Sequence, residues 1–215
     1  MSKPEASHSP PEPESTESTR RRILEAALDE FSEHGRAGAR VDRIATAAKI
    51  NKAMIYYHFS SKDNLYREAI ADICGRIAGD VAQHALAGGT LEEVLRAIAS
   101  AYAELFRSRP QLRSIFLDEL ARPQGEILEV IASALRDSGA PKLLFGRLQE
   151  ESVSGRMREV DIKQAVTSFI TLNLGYVFLH PLIDRLLGIE DTGAFMEERK
   201  TALVDLFLHG VEVRS

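Results

Sequence analysis

From position 41 to position 62 the chain reads Val-Asp-Arg-Ile-Ala-Thr-Ala-Ala-Lys-Ile-Asn-Lys-Ala-Met-Ile-Tyr-Tyr-His-Phe-Ser-Ser-Lys, a pattern of two short helices joined by a tight turn. Asn51 suits an N-cap, because its side-chain oxygen can accept from the amide donors left free in a first helical turn, and the second helix then runs to Phe59. Ile55 and Phe59 sit one turn apart and bury together. At about 100° per residue, Ala53 and Tyr57 then point away from that pair, with Tyr56 and Met54 on the flanks and Lys52 and His58 near the core boundary. Two adjacent phenols, an imidazole and an ammonium are donors suited to phosphate oxygens. A side chain as small as Ala53 lets the helix backbone approach base edges.

These residues resemble the helix-turn-helix of the tetracycline-repressor (TetR/AcrR) family of transcriptional regulators. The matching positions are Ile44-Ala45, Ile50-Asn51-Lys52, Tyr56-Tyr57-His58-Phe59, Ser61-Lys62-Asp63 and Leu65. The resemblance is carried by residues 20–67 and beyond them rests on length and helical pattern. It implies an all-α chain of about nine helices, in which three amino-terminal helices precede a larger helical domain that binds a small molecule and dimerises. The expected domains are a helix-turn-helix module over 20–67 and a ligand-binding and dimerisation domain over 68–215. DNA contacts are expected from Arg40, Arg43, Lys52, Ala53, Met54, Tyr56, Tyr57, His58 and Lys62. The implied partners are a palindromic double-stranded operator, a second copy of the chain and an effector of unknown identity.

Three positions depart from the family pattern. Lys49 stands where relatives have glycine, the residue that best tolerates the left-handed conformation ending a helix. The turn must therefore either strain or close differently, and the cation can lie near a helix C-terminus or a phosphate. Arg40 stands where a Thr or Ser would cap the second helix and cannot cap in that way. Met54 replaces a small or polar residue and suits apolar contact with a thymine methyl or a sugar.

With 215 residues, 44% hydrophobic and 27% charged, the chain can bury a full core. Its net charge of −5 would argue against nucleic acid if evenly spread. Residues 20–67, however, hold ten Lys or Arg against six Asp or Glu, a local +4 that leaves −9 elsewhere. A small basic reader on an acidic body fits that asymmetry. A single cysteine, Cys74, excludes an internal disulfide framework and a cysteine-rich metal site. A reducing cytoplasm is the expected location, since no basic-then-apolar signal pattern opens the chain.

Residues 1–19 have Lys3 as their only Lys or Arg and are rich in Pro, Ser, Thr and Glu, so an acidic disordered tail is expected. A helix follows from Ser18 or Thr19 to His34, with Ile23, Leu24, Ala27, Leu28 and Phe31 on one stripe and Gly35 ending it. Arg20, Arg21 and Arg22 open that helix against its macrodipole, either as phosphate contacts or as a solvated charge run. Ser60, Ser61 and Asp63 suit the cap of a fourth helix running to about His84. Further helices are expected from Leu91 to before Pro110, from Leu112 to Leu120 before Pro123, over Ile127–Arg136 and Leu143–Ser152 as one broken helix or two, and around Phe195–Val211. The run Ala165–Ile183 has no Asp, Glu, Lys or Arg and is long enough to span a bilayer. Its Thr, Ser, Asn and His residues favour instead a buried helix with one face on a partner subunit, stopped or kinked near Pro181. No membrane association is expected.

The sequence holds no His-Glu-x-x-His pair, Gly-x-Ser-x-Gly elbow or glycine-rich phosphate loop, so no catalytic residue, metal site or cofactor is expected. His84 and His180 read as structural histidines or as ligand contacts, and Cys74 as a small buried hydrophobe. The resemblance places a cavity among the middle helices, for which Tyr102, Phe106, Phe116, Leu120, Phe145, Phe169, Asn173 and Tyr176 are candidates, the last two as polar anchors. Phe178, Leu182, Leu186, Leu203 and Phe207 are the expected dimer contacts. The expected function is thus a dimeric repressor released from its operator by a small hydrophobic ligand. Alternatives are a helical ligand-binding or catalytic protein and a DNA-binding protein indifferent to sequence.

Overall fold

The computed structural model describes residues 16–86, 89–110, 112–121 and 125–211, without the side chains of residues 84–86 and 211. The described residues form ten helices: α1 Thr16–Gly38, α2 Val41–Ala47, α3 Lys52–Phe59, α4 Lys62–Leu86, α5 Leu91–Ser108, α6 Leu112–Leu120, α7 Glu126–Asp137, α8 Ala140–Val153, α9 Ile162–Leu187 and α10 Thr192–Val211. The ambiguous stretch from 126 to 153 is two helices, separated at Gly139, whose φ of 76° is left-handed. α1 starts two residues ahead of Ser18, and its helical run breaks at Gly35 (φ 67°, ψ 169°) as its glycine suggests. The tail expected over 1–19 lies outside the described residues up to position 15, and so do Pro123 and the His84 side chain.

Two apolar cores organise these helices. The first takes Ile23, Leu24, Leu28 and Phe31 from α1, Ile44 from α2, Ile55 and Phe59 from α3, and Leu65, Tyr66 and Ile70 from α4. It continues without a break into Leu105 and Phe106 of α5, Leu112 and Ile115 of α6, Ile127 of α7 and Val177 of α9. The boundary expected at residue 67 therefore falls inside α4, whose side chains on both sides of that position share one core. The second core joins Leu91, Leu95 and Ala99 of α5 to Leu144 and Leu148 of α8, Val166 and Phe169 of α9, and Leu203, Val204 and Phe207 of α10. α5 and α9 enter both, so they fix one core relative to the other.

Polar bonds pin the same contacts. Thr90 and Glu93 form a reciprocal capping box at the start of α5. Asp161 accepts from the amides of Lys163 and Gln164 at the start of α9. Arg96 reaches from α5 to Asp205 (3.1 Å) and Thr201 (3.2 Å) on α10. Asp184 of α9 accepts from Thr192 (2.6 Å) and Tyr176 (2.8 Å), while His180 lies between Asp184 and Arg113 of α6. The Thr192 hydrogen bond, with those from Tyr176 and His180, holds the Asp184 carboxyl below its ordinary pKa against the opposing effect of burial.

α9 corrects one expectation and refines another. It neither stops nor is capped near Pro181, but runs on to Leu187 and ends at Gly188 in a left-handed conformation. Proline deletes one amide donor, and the packing of a 26-residue helix outweighs that local loss. By length and composition α9 alone among the described helices could cross a membrane. One face is buried through Ala165, Val166, Phe169, Asn173, Tyr176 and Val177. The other exposes Leu172, Leu179, Leu182, Leu186 and Leu187.

A buried polar pair ties α4 to α6: the Tyr66 hydroxyl donates to Glu119 Oε1 at 3.2 Å, with the two residues 2% and 5% exposed. Burial, reinforced by the Glu119 charge, pushes the Tyr66 phenol well above its ordinary pKa. Removing the donor leaves a carboxylate in the core without this partner, so Tyr66→Phe is expected to lower unfolding stability by about 1–3 kcal/mol. Combining it with Glu119→Leu should recover part of that loss. Urea unfolding of the three proteins measures both, and an unchanged midpoint for Tyr66→Phe would contradict the pairing.

Candidate nucleic-acid interface

The geometry of α2 and α3 follows from three local devices. Asn51 has extended backbone angles (φ −76°, ψ 139°) and its side chain accepts from the Ala53 amide at 2.9 Å, so α3 starts where a cap permits. Ile55 and Phe59 are fully buried, which fixes the rotation of α3 and turns Tyr57 outward to 78% exposure. Between the helices, Lys49 adopts φ 54°. The Ile50 amide donates to Ala45 O (3.0 Å) and the Lys49 amide to Thr46 O (3.1 Å), the paired bonds of a Schellman ending. The turn thus keeps the geometry that glycine favours, with lysine in its place.

The expected DNA contacts divide into two groups. Ala53, Met54, Tyr56 and Tyr57 are exposed on α3, and Arg40 and Lys52 are exposed beside them. Lys52 pairs with Asp42 of α2 at 2.9 Å, and that hydrogen bond raises the ammonium pKa, keeping the charge in place. His58 is half-buried beside Tyr57 and Phe59, and its Nε2 meets no protein partner among the described residues. Arg43 and Lys62, by contrast, are engaged within the fold. Lys62 Nζ donates to Ala37 O and Ala39 O, both at 3.3 Å, tying the start of α4 to the end of α1. Arg43 bonds Glu30 Oε1 at 2.7 Å and Gly38 O at 3.2 Å.

Glu30 was not singled out by sequence reasoning and organises the entrance to α2. Its Oε1 accepts from the Arg40 amide (2.8 Å) as well as from the Arg43 side chain, which fixes the backbone where α2 begins although Arg40 makes no side-chain cap bond. Burial acts to raise its pKa, but the Arg43 and Arg40 hydrogen bonds and the charges of Arg43 and His34 outweigh it and hold the carboxyl low. Arg20, read as either a phosphate contact or a solvated charge, pairs with Glu68 and lies 5.5 Å from the Phe59 ring centroid. A long-range acid–base pair of this kind has no spacing signature in the sequence.

The expected ligand residues do not share a cavity. Tyr102, Phe106 and Phe116 pack with the first core, the two phenylalanine rings edge-on at 5.7 Å, while Phe169 is buried in the second against Phe207 at 5.1 Å. Leu120 and Phe145 are exposed. Asn173 donates to Phe169 O (2.8 Å) and Tyr176 to Asp184, so both polar anchors are satisfied within α9. Burial, with the Asp184 bond, pushes the Tyr176 phenol up to about 12. Asn173 and Tyr176 border a void of only about 20 Å³. An open groove of about 880 Å³ lies instead between α4 and α5. Among the expected dimer contacts Leu182 and Leu186 are exposed, whereas Leu203 and Phe207 are buried in the second core and Phe178 packs on Phe106 at 5.8 Å. Leu203 and Phe207 cannot offer an intermolecular surface, because their side chains are already consumed within the chain.

A short, outward-facing helix set on a two-helix scaffold by a capped start and a tight turn defines a helix-turn-helix protein. Residues 23–69 match the family described as bacterial regulatory proteins, tetR family. It is 48% identical over 54 residues to the HTH-type transcriptional repressor SCO4008 of Streptomyces coelicolor, covering 25% of this chain and 28% of that protein. Against the repressor NicS of Pseudomonas putida it is 33% identical over 101 residues, covering 47% of this chain and 48% of the other. The matches thus span less than half the length of either relative. The fold resembles that of the transcriptional regulator FadR from Bacillus subtilis, solved with stearoyl-CoA, with a TM-score of 0.71 at 21% identity over 89% of this chain and 99% of that one.

Lys49→Gly should relieve the left-handed lysine and raise unfolding stability by about 0.5–1 kcal/mol. Chemical denaturation of the purified variant checks this. A loss of stability would mean that the lysine side chain makes a contact worth more than the backbone cost.

Proposed function

We propose that this protein is a dimeric, sequence-specific transcriptional repressor that acts in the cytoplasm and leaves a palindromic operator when a small ligand binds its helical body. The observation that carries the reading is the rigid presentation of α3: two fully buried anchors, Ile55 and Phe59, hold Tyr57, Tyr56, Ala53 and Lys52 outward on a locally basic module. Each subunit inserts α3 into a major groove. Tyr57 and His58 bind phosphates, Lys52 reads a guanine edge after turning from Asp42, and Met54 contacts a thymine methyl or sugar. The similarity of the amino-terminal region to two named repressors supports the regulatory role. The solved FadR complex with stearoyl-CoA supports a body of this fold that accepts a ligand.

A second copy would cover the exposed leucines of α9 and α10, among them Leu179, Leu182, Leu186 and Leu206, which leaves their apolar surface in water in the lone chain. The distance between the two α3 helices then sets half-site spacing, and a ligand that favours another spacing releases the DNA.

Selection from a random duplex library at fixed salt is the test. The wild type should enrich a palindrome. Lys52→Ala should relax preference at one base pair, costing about 1–3 kcal/mol there, while Tyr57→Phe weakens all duplexes alike. Leu186→Glu should sediment as a folded monomer and bind weakly. Equal affinity for selected and random duplexes would replace this reading with sequence-indifferent binding.

A further inference from the structure

We propose that Asp42 is a second base-reading residue, accepting from the N4 amine of the cytosine whose partner guanine Lys52 contacts, so that the two side chains read one G·C pair as a unit. The assignment rests on the repressor reading above and extends it to a residue of α2.

Placement comes first. Asp42 is the second residue of α2, and its side chain is 72% exposed, outside the stripe of Val41, Ile44 and Ala45 that this helix buries. It pairs with Lys52, the first residue of α3, through Oδ1 at 2.9 Å and Oδ2 at 3.1 Å. In helix-turn-helix docking the amino-terminal residues of the second helix meet the base edges. A carboxylate bonded to Lys52 therefore stands at the same edge. An acid also suits the first turn of α2, where the macrodipole favours negative charge. That preference is met whichever way the side chain points, and it does not account for the reach to α3.

Electrostatics makes the position costly unless it is used. DNA phosphates repel a carboxylate, and docking strips water from it. When Lys52 turns to guanine O6 or N7, Asp42 is left with a carboxylate that faces the groove and needs a donor. The donors on major-groove base edges are the cytosine N4 and adenine N6 amines. The guanine that Lys52 takes brings the first of these with it, on the same base pair.

Spacing fits the pair. Guanine O6 and cytosine N4 are joined by a Watson–Crick N–H···O bond, which puts them about 2.9 Å apart. Lys52 Nζ and Asp42 Oδ1 are 2.9 Å apart. Donor beside acceptor on the protein thus meets acceptor beside donor on the DNA. Reversal to C·G exchanges the two, so the unit also fixes the orientation of the pair. Adenine offers the ammonium one acceptor where guanine offers two.

The base pair to probe is the one at which Lys52→Ala relaxes preference in the selection above. Fluorescence anisotropy with synthetic duplexes then compares cytosine with N4-methylcytosine opposite that guanine. The methyl group replaces the amine hydrogen that faces the major groove and leaves the Watson–Crick hydrogen in place. The wild type should bind the methylated duplex roughly tenfold more weakly. Asp42→Ala, an exposed change that leaves both cores untouched, should bind the two duplexes equally. A carboxylate acting only as a strut or as a repulsive charge makes a different prediction: Asp42→Ala then shifts affinity for all duplexes alike, and the methyl group affects variant and wild type to the same degree. Equal wild-type binding to the two duplexes, or a methyl penalty that survives Asp42→Ala, would overturn the assignment. So would an enriched site at which Lys52→Ala relaxes no position. A selection that enriches no sequence would overturn the repressor reading itself, and the assignment with it.

Discussion

The apolar continuity between α3 and the body is the constraint on which the rest of the structure depends. Ile55 and Phe59 have no core of their own: they bury against α1 and α4, and those helices bury against α5, α6 and α7 in the same cluster. An eight-residue helix is too short to persist alone in water, so α3 exists because tertiary packing supplies what helix propensity does not. The same packing fixes its rotation and hence which side chains meet solvent. A reading head built this way cannot turn without disturbing α4, and α4 cannot shift without disturbing the groove it walls.

Charge has a different task in each region. Around the reader, Glu30 holds the start of α2, Asp42 holds Lys52, and Lys62 satisfies the carbonyls that end α1, so several cations near the DNA face act first as struts. Exposed pairs of this kind contribute little to stability but restrict orientation. In the body, Arg96 and Asp184 lock α10 to α5 and α9, leaving the outer leucines of α9 as an apolar surface without a partner among the described residues.

The reading helix was legible in the sequence because several short-range signals coincide within nine residues: the Asn51 cap, the buried pair one turn apart and the aromatic outer face. Lys49 was legible as a departure, and its positive φ confirms that the turn geometry is imposed by the ladder around it. Helix positions in the body followed from periodicity with the exception of Pro181, where packing overrides a local breaker. The groove was not legible. Aromatic residues on a helical stripe fill a core or line a pocket with equal ease, and here Phe106, Phe116 and Phe169 fill cores. The groove arises from what its lining residues Ala97 and Ala101 lack, which a search for large side chains passes over. Likewise, an all-apolar α9 does not state which face turns inward, and Leu203 and Phe207 of α10 proved to be interior. Glu30 and Arg20 act through partners 10 to 48 positions away, beyond any local pattern.

Native-state hydrogen exchange tests the central claim most directly, since it measures whether the reader and the body open together. If one core runs from α3 to α5, the amides of Leu24–Phe31 in α1, Leu65–Ile70 in α4 and the turn ending at Phe106 in α5 should exchange with one common opening free energy. Opening of α1 to α3 at a distinctly lower free energy, with α5 still protected, would contradict it and make the reader a separate unit.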